Sequence, residues 1–281
     1  MELLRPSSLD EATGALGNGS RALAGGTELV PLLRDGIVGA ETLVHVHDVI
    51  PKGIHDGGTL IGAGTTLGEL EVDPEIPDVL REACRLAASP QLRNMGTIGG
   101  NLLQATRCWY WRLKFPCRLH GGEVCHAREG QHREHAIFAN DFCASAHPSD
   151  VAAALLSLDA RVRTDRRELP LADLYRLPTE DDREVTTLAA NELILELAVR
   201  TPLASAYLKA MDRKRWAFPL VGVAAARHEE GVRIGLSGVA PIPWLLESPK
   251  ALEAATPLPG TAYKVELARV LVGRALDRIT G

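Results

Sequence analysis

Two glycine-rich turns in this sequence are suited to hold a phosphorylated ligand. One is LAGGTEL at 23–29, where a short apolar stretch leads through two glycines into a predicted helix, and the other is NMGTIGGN at 94–101. Paired glycines allow positive φ angles and a close approach of the backbone to a ligand. The start of a helix offers unpaired N–H groups and a partial positive charge to a pyrophosphate. Neither turn has GxGxxG or P-loop spacing, which excludes a Rossmann or Walker site. Two such turns in one chain make a long, doubly phosphorylated cofactor as credible as two ordinary turns.

Four of the five cysteines could form a second site, since they lie within thirty-six residues: Cys108, Cys117, Cys125 and Cys143. Four thiolates can hold a tetrahedral zinc ion or an iron–sulfur cluster. The spacing of x8, x7 and x17 lacks the CxxC pairs of most zinc ribbons, so a metal or cluster is expected and zinc is the less favoured. The fifth cysteine, Cys84, falls on the apolar face of a predicted helix and is expected to be a buried core residue.

Other polar residues have ordinary structural interpretations. His120 and His126 lie close to the cysteines, but each alone is typical of a solvated loop histidine. The sequence HPSD at 147–150 opens a predicted helix, where Ser149 or Asp150 is a typical N-cap. Lys209 lies on a predicted strand and would normally be a solvent-facing charge. No Ser-His-Asp or Cys-His nucleophile arrangement can be assembled from the remaining residues.

Three regions must position these motifs. Residues 1–55 predict a small α/β unit, in which a short strand, the first glycine turn and a helix follow one another at 21–36. Residues 56–167 predict a helix at 75–88, an irregular segment rich in Cys, His, Arg and Gly at 105–148, a helix at 149–158 and a strand at 160–164. A long irregular segment inside a compact domain is usually functional or disordered.

The third region, 168–281, has strands first and helices afterwards, which is typical of an α+β domain. The predicted strands are 192–199, 206–211, 221–228 and 232–239, and the predicted helices are 248–255 and 261–280. The last two strands flank Glu229-Glu230-Gly231, a sequence that predicts a β-hairpin.

The composition excludes several classes of protein. The 31 basic and 36 acidic residues give a net charge of −5 without a basic stripe, which argues against a nucleic-acid binder. The longest apolar stretches, such as 220–226, fall far short of the roughly 20 residues that span a bilayer. The N-terminus shows no basic and apolar secretory signal, so we expect a cytoplasmic protein, in which clustered cysteines indicate metal or redox chemistry.

The motifs together resemble the FAD-binding medium subunit of the molybdenum hydroxylases, the family of xanthine dehydrogenase, aldehyde oxidoreductase and 4-hydroxybenzoyl-CoA reductase. The similarity covers essentially the whole chain, with weaker motifs in the C-terminal third, and is carried in order by LAGGTEL, RNMGTIGGNLLQATRCWYWR, FPC, GGEVC, HAIF and HPSDVAAALLSLDA. It implies an α+β fold with two small α/β FAD-binding subdomains of the PCMH type at 1–55 and 56–167. An α+β C-terminal domain with a small antiparallel sheet would follow at 168–281.

The resemblance also implies which residues bind FAD. Backbone N–H groups of the first turn would wrap the pyrophosphate, and the second turn would form a second clamp. Asp150 matches a family acid that holds the flavin nucleotide, while Ile194 and Lys209 match positions that reach the flavin, Lys209 as a positive charge that favours the reduced form. The full implied set is Ala24, Gly25, Gly26, Thr27, Glu28, Leu29, Thr97, Ile98, Gly99, Gly100, Asn101, Asp150, Ile194 and Lys209.

The four clustered cysteines resemble the ligands of a 4Fe-4S cluster in an inserted loop that many medium subunits lack. Cys143 stands immediately before ASAHPSD, which departs from the 4-hydroxybenzoyl-CoA reductase pattern, where the last cysteine follows soon after the third. The resemblance is therefore closer to bacterial aldehyde and purine oxidoreductases than to acyl-CoA reductases.

The implied function is electron transfer, with no catalytic residue for substrate oxidation on this chain. The substrate would be oxidised on a large subunit with a molybdopterin cofactor, and electrons would pass through a 2Fe-2S small subunit to FAD here and on to an external acceptor, in a heterotrimer. A signal on a partner could export the folded complex. Three other functions stay open: the medium subunit of an aromatic acyl-CoA reductase of the 4-hydroxybenzoyl-CoA type, a stand-alone FAD oxidase, and a zinc-stabilised binding module whose glycine turns are only turns.

Overall fold

The N-terminal part of the computed structural model, which describes residues 1–17 and 19–280, is a parallel sheet with two helices. The strands are β1 (Glu2–Leu4), β2 (Ser20–Leu23) and β3 (Thr42–His45), in the order β1-β3-β2. Helices α1 (Leu9–Ala15) and α2 (Leu29–Arg34) connect them. The order of strand, glycine turn and helix that the sequence predicts at 21–36 is confirmed.

A second sheet of five antiparallel strands follows. Its strands are β4 (Ile54–His55), β5 (Leu60–Gly62), β6 (Arg161–Thr164), β7 (Glu168–Pro170) and β8 (Ile194–Ala198), in the order β4-β5-β8-β6-β7. Strands β7 and β8 thus lie in this sheet, although they come after the boundary at 167/168 that we expect from the sequence. The physical reason is that β8 is buried on both faces. Leu195 packs in one apolar core with Val44 and Ile50, and Leu197 packs in another with Ile61 and Val162.

Four helices pack around this sheet between β5 and the cysteine-rich segment. They are α3 (Leu67–Val72), α4 (Asp78–Ala87), α5 (Pro90–Arg93) and α6 (Ile98–Leu102). A capping box between Thr66 and Glu69 starts α3 and satisfies two backbone N–H groups there. Helix α4 is the one predicted at 75–88, and its apolar stripe, which includes Cys84, lies in the core. The predicted burial of Cys84 is therefore confirmed, with 0% of the residue exposed.

The cysteine-rich segment has only short regular elements. These are α7 (Trp109–Arg112), a 3-10 turn at Arg118–His120 and α8 (His126–Glu129). A small apolar cluster of Ala127, Ala144 and Leu258 supports it. The segment leads into α9 (Asp150–Ser157), in which every residue is buried and Ser149 is the N-cap. Such an all-round apolar helix must be covered on every side.

The C-terminal sheet covers α9 on one side. It is antiparallel, in the order β12-β11-β10-β9, and is backed by α10; the elements are β9 (Ala204–Ala210), β10 (Val221–His228), β11 (Gly231–Ser237), β12 (Trp244–Leu246) and α10 (Tyr263–Thr280). The predicted hairpin at 221–239 is confirmed, whereas the helix predicted at 248–255 is a 3-10 helix, Pro249–Ala254. No helix among residues 1–17 and 19–280 is long and apolar enough to cross a lipid bilayer.

Two cores meet at this sheet and so fix α9 in place. Ala224 and Ala226 face the core that contains α4 and α9, while Val223 and Ala225 face α10. Gly235 of β11 lies directly against α9, because a Cβ there would be 2.1 Å from the carbonyl oxygen of Ala153. Only glycine permits this approach, and it places the N-terminus of α9 beside β9 and β11.

Candidate functional site

The two glycine turns, 70 residues apart in the sequence, pack backbone against backbone. A Cβ on Gly25 would lie 1.8 Å from the carbonyl oxygen of Met95, which no side chain can tolerate. Gly26 adopts a φ of +70°, a left-handed conformation that favours glycine. The structure therefore joins the two motifs that the sequence singled out into one surface.

The first turn has free donors. Within the described part of the chain, no acceptor receives a hydrogen bond from the N–H groups of residues 25–29, which are half-buried. These groups surround the start of α2, where unpaired N–H groups are expected. A pyrophosphate would satisfy them, so the cradle fits an anionic, phosphorylated ligand.

The second turn uses its own donors internally. The N–H groups of Ile98 and Gly99 donate to the carbonyls of Thr65 (2.8 Å) and Ala63 (3.0 Å). The N–H of Gly100 donates to Oγ1 of Thr97 at 3.2 Å. This clamp therefore holds α6 against the end of β5 and leaves fewer free N–H groups than the sequence suggests.

The side chain of Glu28 connects the first turn to the cysteine segment. Its carboxylate accepts hydrogen bonds from Nη2 of Arg107 and Nη2 of Arg112, each at 2.5 Å, and from the N–H of Ala105 at 3.2 Å. The three side chains are between 18% and 28% exposed. Burial lowers the pKa of Arg107, and the nearby Glu28 carboxylate opposes that shift. Two guanidinium groups on one carboxylate leave one surplus positive charge beside the turn.

The four clustered cysteines converge on one cavity. Cys108, Cys117, Cys125 and Cys143 all line it, together with aromatic and basic side chains of the same segment, whereas Cys84 lies in the core behind α4. All five thiols are free of disulfides. Burial raises the pKa of Cys84 far above its ordinary value. The four clustered cysteines thus lie together in the structure, and Cys84 lies apart from them.

Hydrogen-bond donors point at the sulfur atoms of this cavity. The thiol of Cys143 and the N–H groups of Ala144, Ala127 and Arg128 together hold the pKa of Cys125 below its ordinary value. Burial raises the pKa of Cys108 to about 11, although the N–H groups of Trp111 and Tyr110 oppose the shift. Donors of this kind stabilise thiolates and tune the clusters that thiolates bind.

In the part of the chain that the structure describes, no three His, Cys, Asp or Glu side chains are arranged to bind a single metal ion. A cubane cluster differs from a single ion, because each of its thiolates binds a different iron and the sulfurs stand further apart. The cavity also contains His126, whose buried Nε2 has no partner among the described residues. Four cysteine sulfurs around one cavity are a donor set that an iron–sulfur cluster or a zinc ion takes in proteins.

A larger cavity of about 210 Å³ lies on the other side of Cys108. Arg107, Trp109, His135 and Phe218 are among its lining residues, and the loop between β9 and β10 forms part of its wall. Nε2 of His135 is 3.2 Å from Sγ of Cys108, and burial lowers the pKa of this histidine to about 4. A neutral imidazole can donate its one N–H to that sulfur.

Asp150 and Lys209 form a buried ion pair with each other. Nζ of Lys209 donates to Oδ2 of Asp150 at 2.7 Å and to the carbonyl of Leu86 at 2.9 Å, with the two side chains 0% and 1% exposed. Tyr207 and Ser237 donate to the other carboxylate oxygen. Burial raises the pKa of Asp150, while Lys209 and the hydroxyls oppose the shift. Lys209 is thus not the solvent-facing charge that a lysine on a strand would normally be, and its positive charge is paired with Asp150.

The remaining predicted residues lie around the second turn. Oγ of Ser149 donates to Oδ1 of Asn101 at 2.6 Å, which ties the N-terminus of α9 to α6. Ile194 is 5% exposed at the start of β8, and the next residue, Leu195, accepts a hydrogen bond from the N–H of Ala63. The carbonyl of Ala63 also accepts a hydrogen bond from the N–H of Gly99, so Ile194 lies close to the second glycine turn.

Lys264 anchors the end of the cysteine segment to α10. The residue is 0% exposed, and its Nζ donates to the carbonyls of Glu134, His135 and Gly238 at 3.0, 2.8 and 2.6 Å. Burial lowers its pKa to about 7. Sequence reasoning missed this lysine, along with Arg107, Arg112 and His135, because no local pattern marks partners so distant in the chain.

We expect Lys264→Met to destabilise the chain. Methionine has a similar length but no donor, so the carbonyls of Glu134, His135 and Gly238 lose their partner, at about 1–3 kcal/mol for each of the latter two, which are buried. Part of this loss is offset because a buried charge is removed. Chemical denaturation measures the change, with the exposed Lys250→Met as control. Equal stability of the two variants would contradict the anchoring role.

The chain matches known proteins over most of its length. A family model described as the FAD binding domain in molybdopterin dehydrogenase matches residues 1–202. The aldehyde oxidoreductase FAD-binding subunit PaoB of Escherichia coli K12 is 38% identical over 253 residues, which cover 83% of this chain and 79% of that protein. The carbon monoxide dehydrogenase medium chain of Afipia carboxidovorans is 39% identical over 107 residues, or 34% of this chain and 37% of that protein.

Solved structures share the fold. A cyanide-inactivated Cu,Mo-CO dehydrogenase matches with a TM-score of 0.71 and 24% identity, covering 99% of this chain and 97% of that chain. The CO dehydrogenase from Hydrogenophaga pseudoflava matches with a TM-score of 0.72 and 23% identity, covering 99% and 96%. The mixed α/β fold is therefore that of a CO dehydrogenase chain. The protein belongs to the family of FAD-binding domains in molybdopterin dehydrogenases.

Proposed function

We propose that this chain is the FAD- and 4Fe-4S-containing electron-transfer subunit of a molybdenum-dependent aldehyde or purine oxidoreductase. The observation that carries the proposal is the meeting of two glycine turns, with free N–H groups on one, next to a segment whose four cysteines line one cavity. Bound FAD would supply reversible uptake and release of one or two electrons. The protein's part is to bind the flavin and the cluster, orient them and exclude water.

The residues around the turns would divide the work of holding FAD. The free N–H groups of residues 25–29, together with Ala24 beside them, would bind the pyrophosphate, and the surplus positive charge at Glu28, Arg107 and Arg112 would favour its negative charge. Residues 97–101 would form the opposite wall. This wall would be supported on its buried side by Ile194, Asp150 and Lys209. Asp150 and Lys209 would have this supporting role because their ion pair leaves neither charge free to contact the flavin.

Cys108, Cys117, Cys125 and Cys143 would ligate the cluster. The backbone N–H groups directed at their sulfurs support this assignment. The apolar support of the segment also favours a bound group: apart from Ile137 and Phe138, which pack in the core with α10, it is one small cluster, which suggests that a ligand completes the order of the segment.

The comparisons favour aldehyde chemistry among the family's reactions. PaoB, by its name an FAD-binding subunit of an aldehyde oxidoreductase, matches 79% of its length with this chain. In our proposal the substrate reacts on a molybdopterin-containing large subunit, and a 2Fe-2S small subunit passes electrons to FAD on this chain and then to an external acceptor. The three subunits form a heterotrimer, in the cytoplasm or exported together as a folded complex.

Replacement of Gly25 by alanine tests the flavin site. The purified chain is expected to carry about one non-covalent FAD, and Gly25→Ala to weaken FAD binding by at least about tenfold, or about 1.4 kcal/mol. The reason is the 1.8 Å approach of the new methyl group to Met95, which must push the two turns apart. Flavin fluorescence titration measures the dissociation constant.

Gly39→Ala is the matched control, because a Cβ at Gly39 meets no atom within 4 Å. Circular dichroism of both variants separates loss of the flavin site from loss of the fold. Unchanged FAD affinity in a folded Gly25→Ala chain would show that the turns do not hold the flavin.

A further inference from the structure

Glu28 occupies a position that the flavin clamp alone does not explain. Its backbone belongs to the first glycine turn and is the N-cap of α2, but its side chain makes no capping hydrogen bond there. The carboxylate instead points across to residues 105–112, about 80 positions later in the sequence. One residue thus takes part in both proposed sites.

The contacts of Glu28 continue directly to Cys108. Arg112, which Glu28 holds, also donates from Nε to the carbonyl of Thr106 at 2.9 Å. Oγ1 of Thr106 in turn accepts the N–H of Cys108 at 3.1 Å. The carboxylate of Glu28 therefore reaches the turn that places the first cysteine through Arg112 and Thr106.

The environment makes these contacts more than a surface ion pair. The carboxylate of Glu28 is 18% exposed and accepts from two guanidinium groups and one backbone N–H. Charge-assisted hydrogen bonds to a half-buried carboxylate are stronger than neutral ones. A shift of the first turn must therefore move residues 105–112, and disorder of residues 105–112 must release the turn.

We propose that Glu28 is a positioning residue that couples FAD binding to the order of the segment bearing Cys108. The inference rests on the proposed function, because it takes the first turn as part of the flavin site. Coupling between two binding events is reciprocal: whatever FAD does for the cysteine segment, an ordered cysteine segment does for FAD affinity. Glu28 is the contact through which both effects pass.

Hydrogen exchange of the purified chain tests the first direction. In the wild type, FAD is expected to slow amide exchange in residues 105–112 about tenfold, since it fixes the turn that holds Arg107 and Arg112. In Glu28→Gln, whose amide keeps the size but loses the charge, FAD should change exchange there by less than about twofold. Glu129→Gln is the control, an exposed substitution in the same segment.

A double-mutant cycle tests the other direction. Cys125→Ser should weaken FAD binding about tenfold when Glu28 is present and by less than about twofold when it is glutamine. Coupling that survives in Glu28→Gln, or its absence in the wild type, would overturn the proposal. A wild-type chain that binds no FAD contradicts the proposed function itself, whereas one that binds FAD without the coupling contradicts only the role of Glu28.

Discussion

Serine in place of any one of Cys108, Cys117, Cys125 or Cys143 is expected to remove most of the iron and labile sulfide from the purified chain, while Cys84→Ser leaves both unchanged. The four cysteines line a common cavity, whereas Cys84 lies in the core and is not among the residues that line it. A cubane has four irons and needs one thiolate for each. About four irons and four sulfides for each chain are therefore expected in anaerobically purified protein, alongside one flavin.

The same variants should loosen the segment between Cys108 and Cys143. Apart from Ile137 and Phe138, which pack in the core with α10, its apolar support is one small cluster, and the binding energy of metal–thiolate bonds contributes to folding because the unfolded chain holds no preformed ligand set. Limited proteolysis with trypsin measures this, since the segment contains several arginines. Cys84→Ser should leave the cleavage rate as in the wild type.

Two outcomes would contradict the cluster assignment. One is stoichiometric zinc in place of iron, which would also make the protein colourless apart from flavin. The other is full iron content in Cys143→Ser, because Cys143 is the ligand most distant in sequence from the other three. Visible absorption and metal analysis of the same sample distinguish these outcomes.

Lys209→Met is expected to lower the free energy of unfolding of the flavin-free chain by about 3–5 kcal/mol, the usual cost when one partner of a buried ion pair is removed. The carboxylate of Asp150 is 1% exposed and would keep only the hydroxyls of Tyr207 and Ser237. Urea denaturation measures the loss. Lys214→Met, on the exposed loop between β9 and β10, is the control and should cost less than about 0.5 kcal/mol.

The deficit of Lys209→Met should depend on pH. Burial already raises the pKa of Asp150, and loss of Lys209, which opposes that shift, raises it further. A carboxyl with a raised folded-state pKa binds its proton more tightly in the folded chain, so stability falls as the pH rises through that pKa. The deficit should therefore be full at neutral pH and shrink as the solution is acidified.

A second substitution separates charge from packing. Asp150→Asn combined with Lys209→Met removes both charges and should regain much of the lost stability, since the uncompensated carboxylate is the main cost. If the double variant is no more stable than Lys209→Met, lost packing rather than lost charge explains the effect. A loss below about 1 kcal/mol in Lys209→Met would contradict a structural ion pair altogether.

Local patterns determined several features of this protein. The alternation of turn and strand residues predicts the hairpin of β10 and β11, and the helical spacing of apolar residues predicts α4 and places Cys84 on its buried face. The glycine turn before α2 is also recognisable, because a short strand, two glycines and a helix follow one another within 16 residues. These features depend on neighbours in the chain, which the sequence shows directly.

The family motifs predict further features, which belong to the candidate site. The FAD-binding domain and the grouping of four cysteines apart from the fifth both follow from short motifs in a fixed order. The sequence could not show how those motifs meet, since the approach of Gly25 to Met95 depends on two turns 70 residues apart.

Only the tertiary structure decided the roles of the charged side chains. Lys209 and Asp150 are 59 residues apart, and a lysine on a strand is ordinarily solvated, so nothing local marks their buried pair. Glu28 similarly carries no sign that its carboxylate serves Arg107 and Arg112 rather than a ligand. Strand β8 belongs to the second sheet because its two faces contact two cores. Contacts of this kind form where packed elements bring together residues that are distant in the sequence. Local periodicity contains no information about which distant residues become neighbours.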